Sequence, residues 1–508
     1  MGWKEYFLAA LIVNVFQMAF AFVIFSFQGV LPLNPQGFPG LSWDLAFMQV
    51  ISFATNTNLQ HYNGEGNCVQ LPNCTSFVVP SVPGLSYLSQ MMAVQFLQFT
   101  SATTGICVAV AMIRGFIAHS KDLGNFYVDF TRTLTRILFP LCFAASLVFV
   151  GLGVPQTLTG YQIAKTVEGA TQTILVGPVA SLVSIMQLGT NGGGYYGTNS
   201  AYPFQNPNPA SDIFQIFLML LIPTSLCFVF GQLIGKKRES RPILWGAYAL
   251  FALDLLIAFT PSFPAVGPGM EVRFGGFFSV FWTVVTTAVT TGSVNASLSS
   301  VNPLVILSAF NGMLIQATPG GKGVGVMYMV MFIILTVFIV GLMSGRTPEY
   351  LGMKITARDV KLVMIAFLVH PVIIIIPTVL AFSTGAASAI GVGTSSIGFT
   401  QIFYEFTSAA ANNGSDFLGA SANTPFFNIS TGIVMFLGRF APIGLLLALG
   451  GSMINRKRLT TEAGVRTDSF LFSIVLIGSI LVLVLLTFFP FLALGPILEF
   501  FQGRVTGF

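Results

Sequence analysis

The chain has 508 residues, 54% hydrophobic and only 8% charged, with a formal net charge of +5 and a mean hydropathy of +0.81. A soluble domain of this size carries about 25% charge, so composition points to an integral membrane protein. Its apolar runs, often about 20 residues, suit spanning helices rather than barrel strands. The net positive charge does not indicate nucleic acid, because the basic residues sit in short segments beside apolar runs.

A first span is predicted over about 5–26, with no small-residue cleavage site after it, so it reads as a retained helix rather than a signal peptide. Pro/Gly-rich Leu31–Gly40 leads to Trp43–Ala54, too short to cross a membrane but adequate for a re-entrant pore helix. It delivers the polar turn Thr55-Asn56-Thr57-Asn58 with Gln60, and a second span follows over about 85–113. This unit of helix, pore helix, polar turn and helix recurs three times. Spans at about 134–152 and 211–235 flank Val179–Leu188 and the Gly-rich turn Gly189–Ser200, whose three consecutive glycines no stable helix would choose. Spans at about 243–262 and from 303 onward flank Gly276–Val289 and the turn Thr290–Asn295. Spans at about 361–383 and 429–454 flank Gly398–Ala411 and Asn412–Ser415, and a last span covers about 469–489.

The expected fold is therefore an all-α membrane protein of fourfold pseudo-symmetric helix–pore loop–helix repeats. The repeats fall at 1–114 (pore loop 43–60), 115–236 (178–194), 237–352 (276–295) and 353–456 (398–415), with an extra span and tail over 457–508. Charge placement supports this topology. The repeat junctions hold Arg114, Lys121, Arg132 and Arg136, then Lys236, Lys237, Arg238 and Arg241, then Arg346, Lys354, Arg358 and Lys361, while Arg456, Lys457, Arg458 and Arg466 precede the last span. The pore-loop side holds chiefly Lys165 and Arg273. Such a bias marks the junctions as cytoplasmic. Two apolar runs, 302–316 and 324–344, lie between the third and fourth turns; two full crossings there would invert the fourth repeat. A single helix (302–344), broken near mid-membrane at Ala317–Gly323, keeps the topology consistent, and a flexible break under a filter is a natural gate. The gate candidates are Pro319, Gly320, Gly321, Lys322 and Gly323.

Dehydrating a monovalent cation requires a ring of carbonyl or hydroxyl oxygens in place of its water. Glycine lets the chain turn its carbonyls inward, Thr and Ser add hydroxyls, and Asn braces the loop. The absence of acid in the turns favours a carbonyl filter over a carboxylate ring for divalent ions. Thr190, Asn191 and Gly192 lead the candidates, followed by Thr291-Gly292 and Asn413-Gly414; the bland alternative is a set of loops that merely break helices. Asp416 suits either cation attraction at the mouth or a local cap. Arg439, within the apolar stretch Met435–Leu449, points to a structural or conduction-linked role. Lys322 fits either a tethered cation plugging an empty pore or a side chain snorkelling to water. Asp254 stays unassigned, His370 before Pro371 reads as a kink partner, and Gly345–Gly352 is either an ordinary turn or a docking surface. Cys107, Cys142 and Cys227 read as packing residues, whereas Cys68 and Cys74 share a loop and pair if it faces an oxidising compartment. No phosphate loop ending in Gly-Lys-Ser/Thr and no Asp-Lys-Thr-Gly motif occurs, so the chain is not expected to hydrolyse ATP by itself.

Beyond these patterns, the chain resembles over essentially its whole length the potassium-binding subunit of the bacterial Kdp potassium-transporting P-type ATPase. The resemblance rests on Leu33-Asn34-Pro35-Gln36, Pro39–Ala46, Thr55–Asn58, Gly177–Ser181, Leu188–Gly194, Glu271–Gly275, Gly345–Gly352, Ser408–Ser415, Leu437–Phe440 and Thr487–Pro496. It implies a fold related to potassium channels and Trk/Ktr transporters. It implies a filter at Asn56, Thr57, Thr190, Asn191, Gly192, Thr290, Thr291, Gly292, Asn412, Asn413 and Gly414, and it matches Arg439 to the family's arginine of the last repeat. It further implies high-affinity binding of K+ as the transported ion, and a multi-pass location in the bacterial plasma membrane. ATP would be used by a partner P-type ATPase subunit, with a small accessory subunit in the complex. The alternative is a stand-alone Trk/Ktr-like channel or symporter. This chain departs from the family pattern at its start, which matches the family's second span, and at Val183, Met186, Ser297–Ser300, Gln316 and Lys322.

Overall fold

The computed structural model describes residues 1–65, 83–117, 122–260, 266–454, 456–458 and 465–502, so the pairing considered for Cys68 and Cys74 falls outside the described residues. Fourteen main helices follow the expected order. They are α1 (Trp3–Phe27), α2 (Trp43–Ala54), α3 (Tyr87–Arg114), α4 (Phe126–Gly151), α5 (Val179–Leu188), α6 (Pro209–Ile234) and α7 (Lys237–Phe259), then α8 (Gly275–Ala288), α9 (Pro303–Ile315), α10 (Val324–Ser344), α11 (Ala357–Ser383), α12 (Ser396–Ala410), α13 (Pro425–Met453) and α14 (Phe470–Phe501). Nine of them are long and apolar enough to cross a membrane, while α2, α5, α8, α9 and α12 are shorter.

Burial sorts these helices. α3 and α10 are enclosed over most of their length, whereas α4 and α14 turn most of theirs outward, with Phe143, Leu147, Leu471 and Leu486 exposed. Large apolar side chains on an outer surface of this kind suit a lipid solvent. Two short hairpins are added to the helical frame: β1 (Tyr161–Lys165) with β2 (Thr171–Leu175), and β3 (Glu349–Tyr350) with β4 (Met353–Lys354). The second lies within the Gly345–Gly352 turn and its continuation.

Hydropathy placed the start of α4 too late. Asn125 caps the helix by accepting from the Tyr127 and Val128 amides at 3.0 and 3.3 Å, and Arg114 forms a two-pronged ion pair with Asp129. Arg132 and Arg136 therefore ride on the helix rather than in a loop. An N-cap and a neutralised carboxylate sustain a helical turn that its polar residues conceal.

The charged junctions gather on one face. The amino terminus meets Asp122 and the Gly124 carbonyl, Arg458 donates to the Phe116 carbonyl, Arg456 grips Asp359, and Phe116 packs edge-on to Tyr350. The hairpin after α10 shares that face with the junctions after α3 and α13. The broken pair α9–α10 thus makes one crossing, as the charge pattern requires. Cys107, Cys142 and Cys227 are free and buried.

Candidate functional site

The four short helices α2, α5, α8 and α12 end in the same backbone device. Two residues beyond each helix, the chain enters the left-handed region: Asn56 (φ 65°), Thr190 (44°), Thr290 (45°) and Asn412 (52°). Two positions further on it does so again, at Asn58 (59°), Gly192 (91°), Gly292 (89°) and Gly414 (105°). Between them, the amides of Thr57, Asn191, Thr291 and Asn413 each donate to the carbonyl five residues back, at Ser52, Met186, Thr286 and Ser408, over 2.7–2.9 Å. This is the six-to-one bond of a helix closed by a left-handed residue. It recurs in register at all four places.

The turns also close on one another. A Cβ on Gly192 would overlap the Thr291 carbonyl oxygen, one on Gly292 the Asn413 carbonyl oxygen, and one on Gly414 the Thr57 carbonyl oxygen. Side chains complete the joins: Asn56 donates to the Thr190 carbonyl at 2.6 Å, and Asn412 donates to the Thr57 hydroxyl at 2.9 Å. All eleven candidate filter residues therefore sit in one ring of contiguous turns, each of them buried or nearly so. Trp282 and Gln98 brace the ring from behind, donating to the Ser293 carbonyl at 2.8 Å and the Gly193 carbonyl at 3.0 Å.

Asn58, part of the first polar turn, stands outside the filter candidates named from the sequence. It occupies the place that glycine holds in the other three turns, and its Oδ1 accepts from Gln98 at 3.1 Å. The signal was present in Thr-Asn-Thr-Asn, since Asn tolerates left-handed backbone better than other side chains do. Asn58→Gly is expected to keep potassium uptake near the parent level. Asn58→Val, with a branched Cβ in the left-handed region costing about 1–2 kcal/mol, is expected to weaken half-saturation about tenfold; equal behaviour of the two in an uptake assay would refute the equivalence.

The gate candidates lie against the ends of these short helices. α9 ends at Gln316 in left-handed conformation, and α10 resumes after Gly323 (φ 77°). Between them, the Gly320 amide donates to the Ala288 carbonyl at the end of α8, and the Lys322 amide donates to the Thr190 hydroxyl at 3.3 Å. The Lys322 ammonium does not snorkel to water. It is buried and donates to the Leu188 carbonyl, the last of α5. His370 treats α12 similarly, its Nε2 lying 3.0 Å from the Ala410 carbonyl and its Nδ1 3.1 Å from the Tyr328 hydroxyl, so its ring braces a helix end rather than serving only a kink.

Arg439, likewise buried, donates to the Ser101 carbonyl of α3 at 3.3 Å. Gly105, one turn along α3, is pressed between the two: a Cβ there would overlap the Lys322 carbonyl and lie 2.9 Å from Arg439 Nη2. Gly105→Ala is therefore expected to displace the 317–323 loop and lower uptake about tenfold at unchanged membrane abundance, a loss equal to about 1.4 kcal/mol; an unaltered rate would show that the loop is not set from α3. At the outer side, Asp416 Oδ1 accepts from the Gly419 amide at 3.1 Å, so it is a local cap. Burial, and then the neighbouring Glu405 charge, raise its carboxyl. Burial pushes Glu65, which accepts from the Gly197 amide at 2.6 Å, up to about 7. Asp254 is buried with Asn311 beside its carboxylate, and the backbone carbonyl of the same residue accepts from Ser308.

Four short helices, each delivering an uncharged turn to a shared ring inside a frame of long apolar helices, define a multi-pass membrane protein. The family described as the potassium-transporting ATPase A subunit, KdpA, matches residues 1–501, and the chain belongs to that family. It is thus a potassium-transport subunit of a Kdp complex. Among solved structures, the potassium transporter TrkH from Vibrio parahaemolyticus superposes with a TM-score of 0.53 over 87% of this chain and 84% of its own, at 16% identity, a likeness of fold.

Proposed function

We propose that this chain selects extracellular K+ in the ring formed by Asn56–Asn58, Thr190–Gly192, Thr290–Gly292 and Asn412–Gly414, and passes it beneath the ring, past the 317–323 loop, to a partner P-type ATPase subunit in a bacterial plasma membrane. The observation that carries this reading is the repetition of paired left-handed positions and six-to-one bonds at four helix ends, with each turn seated against its neighbour. A closed ring of uncharged backbone replaces a monovalent ion's water without the field of a carboxylate cluster. Four quarter units divided near residues 114, 236, 352 and 456 are the corresponding domain plan. A small accessory subunit completes the assembly, and ATP is used by the partner rather than by this chain.

The test is potassium uptake at micromolar external potassium in a transport-deficient host, with the chain expressed alone and together with its candidate partners. Uptake that requires the partners supports the pump-subunit reading. Uptake by the chain alone replaces it with a channel or symporter.

A further inference from the structure

Three residues beyond Asn58, the chain places His61 behind the ring, wholly buried, between the first and fourth repeats. Its Nδ1 lies 2.8 Å from Asn428 Oδ1 and its Nε2 3.1 Å from Glu405 Oε1. The Asn428 amide cannot be turned round, because its Nδ2 donates to Asp44 Oδ2 at 2.8 Å and to Asn423 Oδ1 at 2.9 Å. Nδ1 therefore faces a fixed acceptor and must carry a proton. A neutral imidazole would then present a bare Nε2 lone pair to Glu405, in a site closed to water. The 3.1 Å contact requires one further proton between Nε2 and Oε1.

We propose that His61 and Glu405 share this proton and that it locks the first and fourth turns of the ring together, making His61 a positioning residue whose titration from outside weakens potassium binding as pH rises. The inference rests on the filter reading above. The linkage is short: His61 is held to α12 and α13, Ser52 donates to the Leu59 carbonyl at 3.0 Å, and Thr57 accepts from Asn412 across the same seam. Other ionisable groups face the pair from each packed element. Asp416 follows the fourth turn, Asp44 of α2 acts through Asn428, Tyr404 of α12 bonds Ser415, and Tyr62 and Glu65 follow on the histidine's own segment. Asp416 is the competing carrier of the same proton. Loss of the proton leaves a carboxylate against a lone pair at low dielectric, and the two repeats separate.

The test uses the purified full chain in lipid nanodiscs and reads the rise in melting temperature on titrating potassium chloride against choline chloride. For the parent, the potassium concentration at half effect is expected to rise about fivefold between about pH 6.5, where a free histidine titrates, and about pH 9, because an adjoining carboxylate favours the charged imidazole. His61→Gln and Glu405→Gln are expected to abolish that dependence, and Asp416→Asn to retain it. Either a pH-independent parent, or His61→Gln and Glu405→Gln variants that keep the parental slope, overturns the proposal. A slope lost in Asp416→Asn alone also overturns it, by assigning the proton to Asp416. No potassium-specific stabilisation at either pH overturns the filter reading itself, and this inference with it.

Discussion

Replacing Gly192 by Asp is expected to raise the potassium concentration for half-maximal uptake by about two orders of magnitude and to erode discrimination against sodium. The position has φ +91°, and a Cβ there would overlap the Thr291 carbonyl and stand 2.7 Å from the Ser293 amide. A non-glycine residue held in unfavourable backbone costs of order 1–3 kcal/mol, and about 2.8 kcal/mol is a hundredfold in affinity. Relief comes only by moving the third turn, which in turn presses Gly292 against Asn413. The new carboxylate adds a field that favours the smaller, more strongly hydrated ion. Gly192→Ala isolates the steric part and should move half-saturation in the same direction by less. Parental half-saturation in the Asp variant, with membrane abundance verified by immunoblot, would show that this turn does not contact the ion.

Lys322→Met is expected to raise passive potassium efflux about tenfold or more. The Lys322 ammonium donates to the last carbonyl of α5, the negative end of a helix dipole aimed beneath the ring. Cys142 and Arg439 lie close enough to act on its charge, and none of the ion pairs among the described residues includes it. A cation coming within about 6 Å meets a repulsion of about 2–3 kcal/mol at an effective dielectric near 20. Removing the charge while keeping the side chain's volume takes away that barrier and leaves the helix end open to the permeant ion. Lys322→Arg retains the charge and should not leak. The decisive measurement is efflux from potassium-loaded proteoliposomes. If Met and Arg leak alike, the loop acts through shape and the tethered-cation role fails.

Much of the architecture could be read from residue order. Hydropathy located the spans, and the two apolar-rich segments Trp43–Ala54 and Val179–Leu188 coincide with α2 and α5. Lys and Arg placement points to one crossing for the 302–344 segment, because loops rich in Lys and Arg are retained on the cytoplasmic side. The same reasoning misjudged α4, where a cap and an ion pair sustain a charged first turn.

The chain's sequence by itself determined the membrane class, the number of re-entrant helices and the chemistry of the four turns, since these follow from local hydrophobicity and backbone preference. The tertiary structure alone decided what those turns touch. Asn58 took its place as the fourth counterpart of glycine only when the turns were set in register, and Gly105 acquired its importance from the loop and the arginine packed on either side of it. Whether Lys322 reached water or a helix end depended on the direction of a flexible side chain. His61 and Glu405 stand 344 residues apart in the chain and meet only because the fourth repeat closes against the first. Local patterns carry no record of such a closure, which is set by packing across the whole ring.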